Sequence, residues 1–372
     1  MFRKNMEDEL LARRFTAAAM GGEKERMALM ELMVLKTQSL PEVMQEWLEE
    51  YAVQGNIRAQ ELYCTLAVSG GVKQCDWIRV EQWLLKLAET KPKNAYMLLG
   101  TLYTPSAFGY NDAKQAAEYF RKGGESGSGA CWASLALLYR EYFAEEHSLE
   151  EIRELFERGF ALGGVVPHSY ETLADVCHEL GDEKASMQYL QKYHKFVPDD
   201  ARNCLILGYN YKFGKGCRAD AALALKYYQK AANLGDGEGL FQVGLAYFEG
   251  SGVSRNYKRA LDYFKRATEA GNPRGYFCLG MAYIEGKGAG KNEQKGVAAL
   301  EIGAELNDIQ CCMALVSCYI EGIGVKKDAD RVKELIQQAR GMQAYAADPL
   351  IQQTIDRLEA CFLAESEDVN ER

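Results

Sequence analysis

Positive net charge is missing from this 372-residue chain, where 53 Asp and Glu outweigh 44 Lys and Arg for a formal charge of −9. A nucleic-acid binder would need a basic surface to neutralise phosphates, so that class is set aside. Proline is scarce, 7 residues against 35 glycines, which favours helices broken by glycine turns over a β fold with proline-marked turns. Long apolar runs are also missing. No stretch reaches the roughly 18 apolar residues of a membrane span. Residues 1–20, with Glu7, Asp8, Glu9, Arg13 and Arg14, contain neither the apolar run nor the small-residue cleavage site of a secretory signal. A cytoplasmic setting is therefore the expectation, with the 11 cysteines reduced and acting as small hydrophobes.

What is present is an internal repeat. Shifting the chain by 36 residues lays LGYNYKFGKG (207–216) on VGLAYFEGSG (243–252) and LGMAYIEGKG (279–288) without a gap. Gly208, Gly244 and Gly280 coincide, as do Tyr211, Tyr247, Tyr283 and Tyr319 and the glycine pairs 214/216, 250/252, 286/288 and 322/324. Gly235, Gly271 and Asn307 hold a turn phase that extends back to Gly163, Gly127 and Gly55.

Each unit predicts two antiparallel helices. Leu240, Val243, Gly244 and Tyr247 form the stripe of a first helix, and the paired glycines then end it by taking left-handed backbone angles without a Cβ clash. A second helix opens at Asp76, Asp112, Ser148, Asp220, Asn256, Asn292 and Asp328, all residue types whose side-chain oxygen accepts from first-turn amides. Mid-helix glycine costs roughly 1 kcal/mol against alanine, so Gly208, Gly244 and Gly280 need a compensating cause. The expected cause is close approach of a small residue, Ala231, Ala267 or Gly303, from the facing helix.

These motifs, with the endings YYQKAANLGD and YFKRATEAGN, resemble the Sel-1-like repeat family, a relative of the tetratricopeptide repeats. The resemblance is nearest over 201–341, weaker at LLGTLY and AAEYFRKGGESG and at LALLY and ELFERGFALGG, and poor before residue 92. LADVCHELGDEKASMQYLQKYHKFVPDD (173–200) lacks the extended turn and fits the tetratricopeptide form. The resemblance implies an all-α fold, an α-solenoid or superhelix of helix-pair repeats that bury their apolar faces only against neighbours. The expected layout is a helical cap and degenerate pair over 1–55, including a helix near 6–20, and divergent repeats over 56–199. Well-formed repeats follow over 200–343, then a capping helix over 344–364 opened by Asp348 and Pro349, and an acidic frayed tail over 365–372.

Chemistry is thin. The histidines (147, 168, 178 and 194) show no metal-ligand or catalytic spacing, and Cys177 beside His178 on one helix points about 100° away from it. Cys311, Cys312 and Cys318 lack further ligands nearby and suit a core. No catalytic residue, cofactor or metal is therefore expected. The glycine pairs follow helices, not strands, so they are turns and not phosphate loops.

A partner surface is the remaining candidate. By analogy with tetratricopeptide units, Leu205, Tyr209, Phe241, Leu245, Phe248, Phe277, Met281, Ile284, Met313 and Ile320 look into a concave groove, with Phe241, Phe277 and Met313 as first choice. The stripe either lines a groove for an apolar peptide or helix or is buried between first helices. Residues 201–300 carry 15 Lys and Arg against 8 Asp and Glu, net +7, which leaves −16 for the rest. Arg255, Lys258, Arg259 and Arg274 mark a basic patch that suits an acidic partner segment. The function expected is a protein–protein adaptor or scaffold. An effector gripping one specific enzyme is the alternative, and a hydrolase assembled across repeats the third.

Overall fold

The computed structural model describes residues 21–37, 39–72, 75–105, 109–164 and 167–370. The expected helix near 6–20 lies outside them. Every regular element among the described residues is a helix, and the helices fall into two compact units, Met1–Gly181 and Asp182–Arg372. In each unit, antiparallel helix pairs stack in chain order, so the fold is all-α and of the α-solenoid type.

The first unit runs from Glu23–Thr37 to Pro167–Glu179. Its core gathers Met30, Met44, Leu48, Leu84, Leu99 and Leu102, all fully buried, which organises even the stretch before residue 92 where the repeat pattern is poor. The second unit begins with Glu183–Phe196 and then repeats a first and a second helix. These are Ala201–Phe213 with Ala221–Asn233, Gly237–Glu249 with Tyr257–Glu269, Arg274–Glu285 with Glu293–Glu305, and Ile309–Glu321 with Ala329–Arg340. Pro349–Asn370 closes the stack, placing Ile355 (1% exposed) and the half-buried Ile351, Leu358 and Phe362 on the last pair. Arg340 Nη2 ties it down through Asp356 (2.9 Å) and Glu359 (2.7 Å). The helix runs through Asn370, and AESEDVN contains no glycine or proline to stop it.

The second helices start on their polar caps. Asp220 accepts from the Leu223 amide (2.9 Å), Asn256 from Arg259 (3.0 Å), Asn292 from Lys295 (2.9 Å) and Asp328 from Arg331 (3.0 Å). Each such cap contributes about 1 kcal/mol. The amides of Asp220, Asn256 and Asn292 also donate to the carbonyls of Tyr211, Tyr247 and Tyr283, each at 2.8 Å, which closes the inter-helix loop at the tyrosine register.

Three glycine roles separate in space. Gly208, Gly244 and Gly280 lie mid-helix, and what sits over them is a large side chain of the paired second helix. A Cβ there would come within 2.6 Å of Tyr228, 2.6 Å of Phe264 and 2.7 Å of Leu300. The expected small residues do not face these glycines. Ala231 packs on Gly239 and Gly303 on Cys311, so the small side chains serve the contact between one repeat's second helix and the next repeat's first. Aromatic area compensates the helix cost of Gly208 and Gly244, whereas at Gly280 the Leu300 side chain and close approach to the Gly296 carbonyl oxygen (2.9 Å from a would-be Cβ) take that place.

The paired glycines divide their work. Gly214, Gly250, Gly286 and Gly322 cap the first helices at φ +70 to +80. Gly216, Gly252, Gly288 and Gly324 do something further. A Cβ on them would run into the backbone of Glu183, Ala221, Tyr257 and Glu293, the opening residue of the preceding second helix in each case. The second glycine is therefore where each repeat seats on the one before.

Asn203 breaks this pattern at the inter-repeat contact, where equivalent positions hold Gly239, Gly275 and Cys311. It is 2% exposed, and neither its Oδ1 nor its Nδ2 has a hydrogen-bond partner among the described residues. A buried unpaired polar group costs about 1–3 kcal/mol, so Asn203→Ala is expected to stabilise the protein by about 1–2 kcal/mol. A denaturant titration showing a lower midpoint for the variant would contradict this.

Candidate partner-binding surface

The first helices of the second unit carry the ten residues expected to face a partner. Their helices begin on caps that the 36-residue grid also marks: Asp200 accepts from Asn203 (3.0 Å), Asp236 from Gly239 (2.7 Å) and Asp308 from Cys311 (2.9 Å). These were legible, since a polar residue recurs at 128, 200, 236, 272 and 308, yet only the second-helix series was singled out. At 272 the residue also reaches sideways, while its Oδ1 accepts from the Arg274 amide (3.0 Å). Asn272 Nδ2 donates to Glu238 Oε2 (2.9 Å) and Arg274 Nη1 to Glu238 Oε1 (3.0 Å), which links successive first helices.

The structure divides the ten. Phe241 is 4% and Ile320 8% exposed, so both belong to the core and are withdrawn as partner contacts. Phe241 packs against Phe264 (centroids 6.0 Å) and is covered on its outer side by the Arg274 guanidinium at 4.5 Å, which is why the first-choice residue is closed to solvent. Leu205, Leu245, Phe248, Phe277, Met281, Ile284 and Met313 are half-buried, and Tyr209 is 45% exposed. Phe248 leans on Tyr257 (5.1 Å) and Phe264 (6.3 Å), with Lys287 of the next repeat 5.5 Å from its ring. Leu245 and Met281 occupy one register of successive first helices and keep part of their surface open.

The basic patch is largely engaged. Arg274 is held by Glu238, Arg259 donates to the Tyr247 hydroxyl (3.3 Å), and Arg255 donates to the Glu249 carbonyl (3.2 Å). Lys258 is exposed. The three arginines thus make intramolecular contacts while, like Lys258, remaining exposed.

Among the described side chains the cysteines are free thiols, most of them buried. Burial pushes Cys278 up to about 12 and Cys312 and Cys318 up to about 11, so they stay protonated and packed. Cys177 is fully buried while His178 is exposed, which separates the adjacent pair. Among the described residues, no group of three His, Cys, Asp or Glu side chains gathers as for a metal, and no helix is long and apolar enough to cross a membrane.

One titratable cluster went unnoticed in the sequence because its members are far apart. His194 Nε2 lies 2.9 Å from Lys230 Nζ, its Nδ1 lies 4.0 Å from Cys204 Sγ, and its ring meets Tyr227 edge-on at 5.3 Å. Burial and the Lys230 charge lower the imidazole's affinity for a proton, against the opposing pull of Asp199 and Asp200. The neutral ring accepts from the lysine. With the folded value depressed, this contribution is complete above the ordinary imidazole range near ~6.5 and is lost as pH falls below it. Thermal midpoints are expected to fall between about pH 6.5 and 5, and His194→Gln is expected to flatten that part of the profile. An unchanged slope in the variant would place the sensitivity elsewhere.

Comparison with known proteins gives the following. The Sel1 repeat model matches residues 93–128, 204–236, 237–272, 273–308 and 311–339. No curated protein matches the chain. Among solved structures it is similar to a Sel1 repeat protein from Oxalobacter formigenes, 26% identical over 53% of this chain and 84% of that one, with a TM-score of 0.45. It is also similar to a protective antigen of uropathogenic Escherichia coli strains that displays an SLR fold, 19% identical over 95% and 94% of the two chains, TM-score 0.44. YrrB, a TPR protein with an unusual peptide-binding site, is 17% identical over 50% of this chain and 91% of its own, TM-score 0.39.

Proposed function

We propose that this chain, five segments of which match the Sel1 repeat model and whose repeat fold generally serves as a protein-interaction scaffold, is an adaptor holding a peptide or helix of a partner against the first-helix face of its second unit. One observation carries this reading. Successive first helices keep apolar side chains half open at a shared register, Leu245 and Met281, flanked by Phe277, Ile284 and Met313. A core would close such a row, whereas a face that receives an apolar segment leaves it accessible. Shape and apolar burial supply the affinity, and repeat number sets the length of segment that is read. The protonated buried thiols suit a reducing, cytoplasmic setting.

The test is affinity capture with the full chain followed by mass spectrometry, comparing wild type with Leu245→Ser/Met281→Ser. Loss of specific retained proteins, with an unchanged melting temperature, is the expected result. Identical sets from both chains would remove this face from the function. Phe241→Ser serves as the contrast, since it should lower stability by about 3 kcal/mol or more as a buried aromatic.

A further inference from the structure

The first repeat of the second unit departs from its neighbours at two adjacent positions. Three repeats end their first helix with an apolar residue followed by an acid: Phe248–Glu249, Ile284–Glu285 and Ile320–Glu321. The first repeat has Lys212–Phe213 there, so both the charge and the apolar position are exchanged. One turn earlier it carries Tyr209, where the others have Leu245, Met281 and Ser317.

The exchange produces an outward-facing cluster that the core does not use. Phe213 is 57% and Tyr209 45% exposed, and their rings touch at 4.6 Å between centroids. Lys215 Nζ stands 4.9 Å from the Tyr209 ring and Lys212 Nζ 5.6 Å from that of Phe213. Among the described residues neither lysine has an ion-pair partner. Two aromatics in tilted contact left in water, with unpaired cations at their edges, lose apolar burial that the Leu–Glu and Met–Glu versions of the same turn do not expose.

We propose that Tyr209, Phe213, Lys212 and Lys215 form a docking point for an acidic peptide segment bearing an aromatic or large aliphatic side chain. The apolar side chain covers the ring pair, and carboxylates on either side of it meet the two lysines. Charge complementarity selects this occupant, since residues 201–300 carry a net +7. The proposal rests on the adaptor reading and gives it a partner chemistry.

The test uses the full chain and a fluorescein-labelled heptapeptide of Asp and Glu with one Phe and one Leu, followed by fluorescence anisotropy. A counterpart with Lys for every acid is the control. Tyr209→Leu/Phe213→Glu installs residues that the next repeat already carries at these positions, so the fold is kept. Saturable binding of the acidic peptide is expected, weakened about tenfold or more by the double variant, with the basic peptide not binding. Raising NaCl from about 50 to 500 mM should weaken it comparably. Equal affinity for wild type and the variant overturns the proposal. If Leu245→Ser/Met281→Ser then abolishes that binding, the adaptor reading stands without it. No binding by wild type at about 1 mM peptide also overturns it, and the capture experiment then judges the adaptor reading alone. Concentration-dependent self-association of the wild type that the variant loses, seen by sedimentation velocity, would assign the patch to a second copy and overturn it as well.

Discussion

Gly252→Ala is expected to destabilise the second unit by about 3 kcal/mol, a fall of roughly 6–12 °C in melting temperature for a unit of this size. Two effects combine. Gly252 sits at φ +71, where an L side chain costs about 1–2 kcal/mol, and its Cβ would strike the Ala221 carbonyl oxygen at the start of the preceding repeat's second helix. Backbone cannot rotate away as a flexible side-chain end can, so the loop must lift off its neighbour. Gly271→Ala separates the two effects, because Gly271 has φ +81 but nothing within 4 Å of its would-be Cβ. It should cost only the conformational part, about 1 kcal/mol. Asn307, at φ 61 in the equivalent place, shows that this turn accepts a side chain. Equal losses from both substitutions would mean that Gly252 is only a turn residue.

Gly244→Ala should destabilise by about 1–2 kcal/mol even though alanine is the better helix former by about 1 kcal/mol. Its Cβ would lie 2.6 Å from Phe264, whose ring is 1% exposed and has no room to retreat. A double-mutant cycle by urea denaturation gives the sharper result. Phe264→Ala alone should cost about 3–5 kcal/mol, and combining it with Gly244→Ala should cost less than the two added together, since the new methyl then fills space that the ring vacated. Strict additivity would show that the glycine and the ring do not share a seam.

Why the fold was legible and the glycine contacts only half so follows from what a repeat displays. Period, caps and turn glycines are local properties, so the 36-residue grid placed Asp220, Asn256, Asn292 and Asp328 at the helix starts where their side chains do accept amides. Which residue faces Gly208 or Gly244 is a question of rotation between paired helices. The chain offers both Ala231 and Tyr228 within one turn, and spacing does not say which of them points across. Phe241 was misplaced for a related reason. Its register is that of Phe277 and Met313, but its own repeat brings Phe264 beneath it and the next brings Arg274 over it, so equivalent positions differ in exposure. The Tyr209–Phe213 pair was visible as a departure from the repeat, although only the structure shows both rings standing outside the core with lysines beside them.

Site-specific photo-crosslinking asks most directly whether the half-open first-helix face is where a partner sits. A benzophenone side chain is introduced at Leu245, at Met281 or at the exposed second-helix residue Lys258, and each chain is irradiated with the proteins that affinity capture retains. Crosslinks from positions 245 and 281 with none from 258 are the expected result. Crosslinking from 258 alone would place the partner on the opposite helix layer and remove the first-helix face from the function.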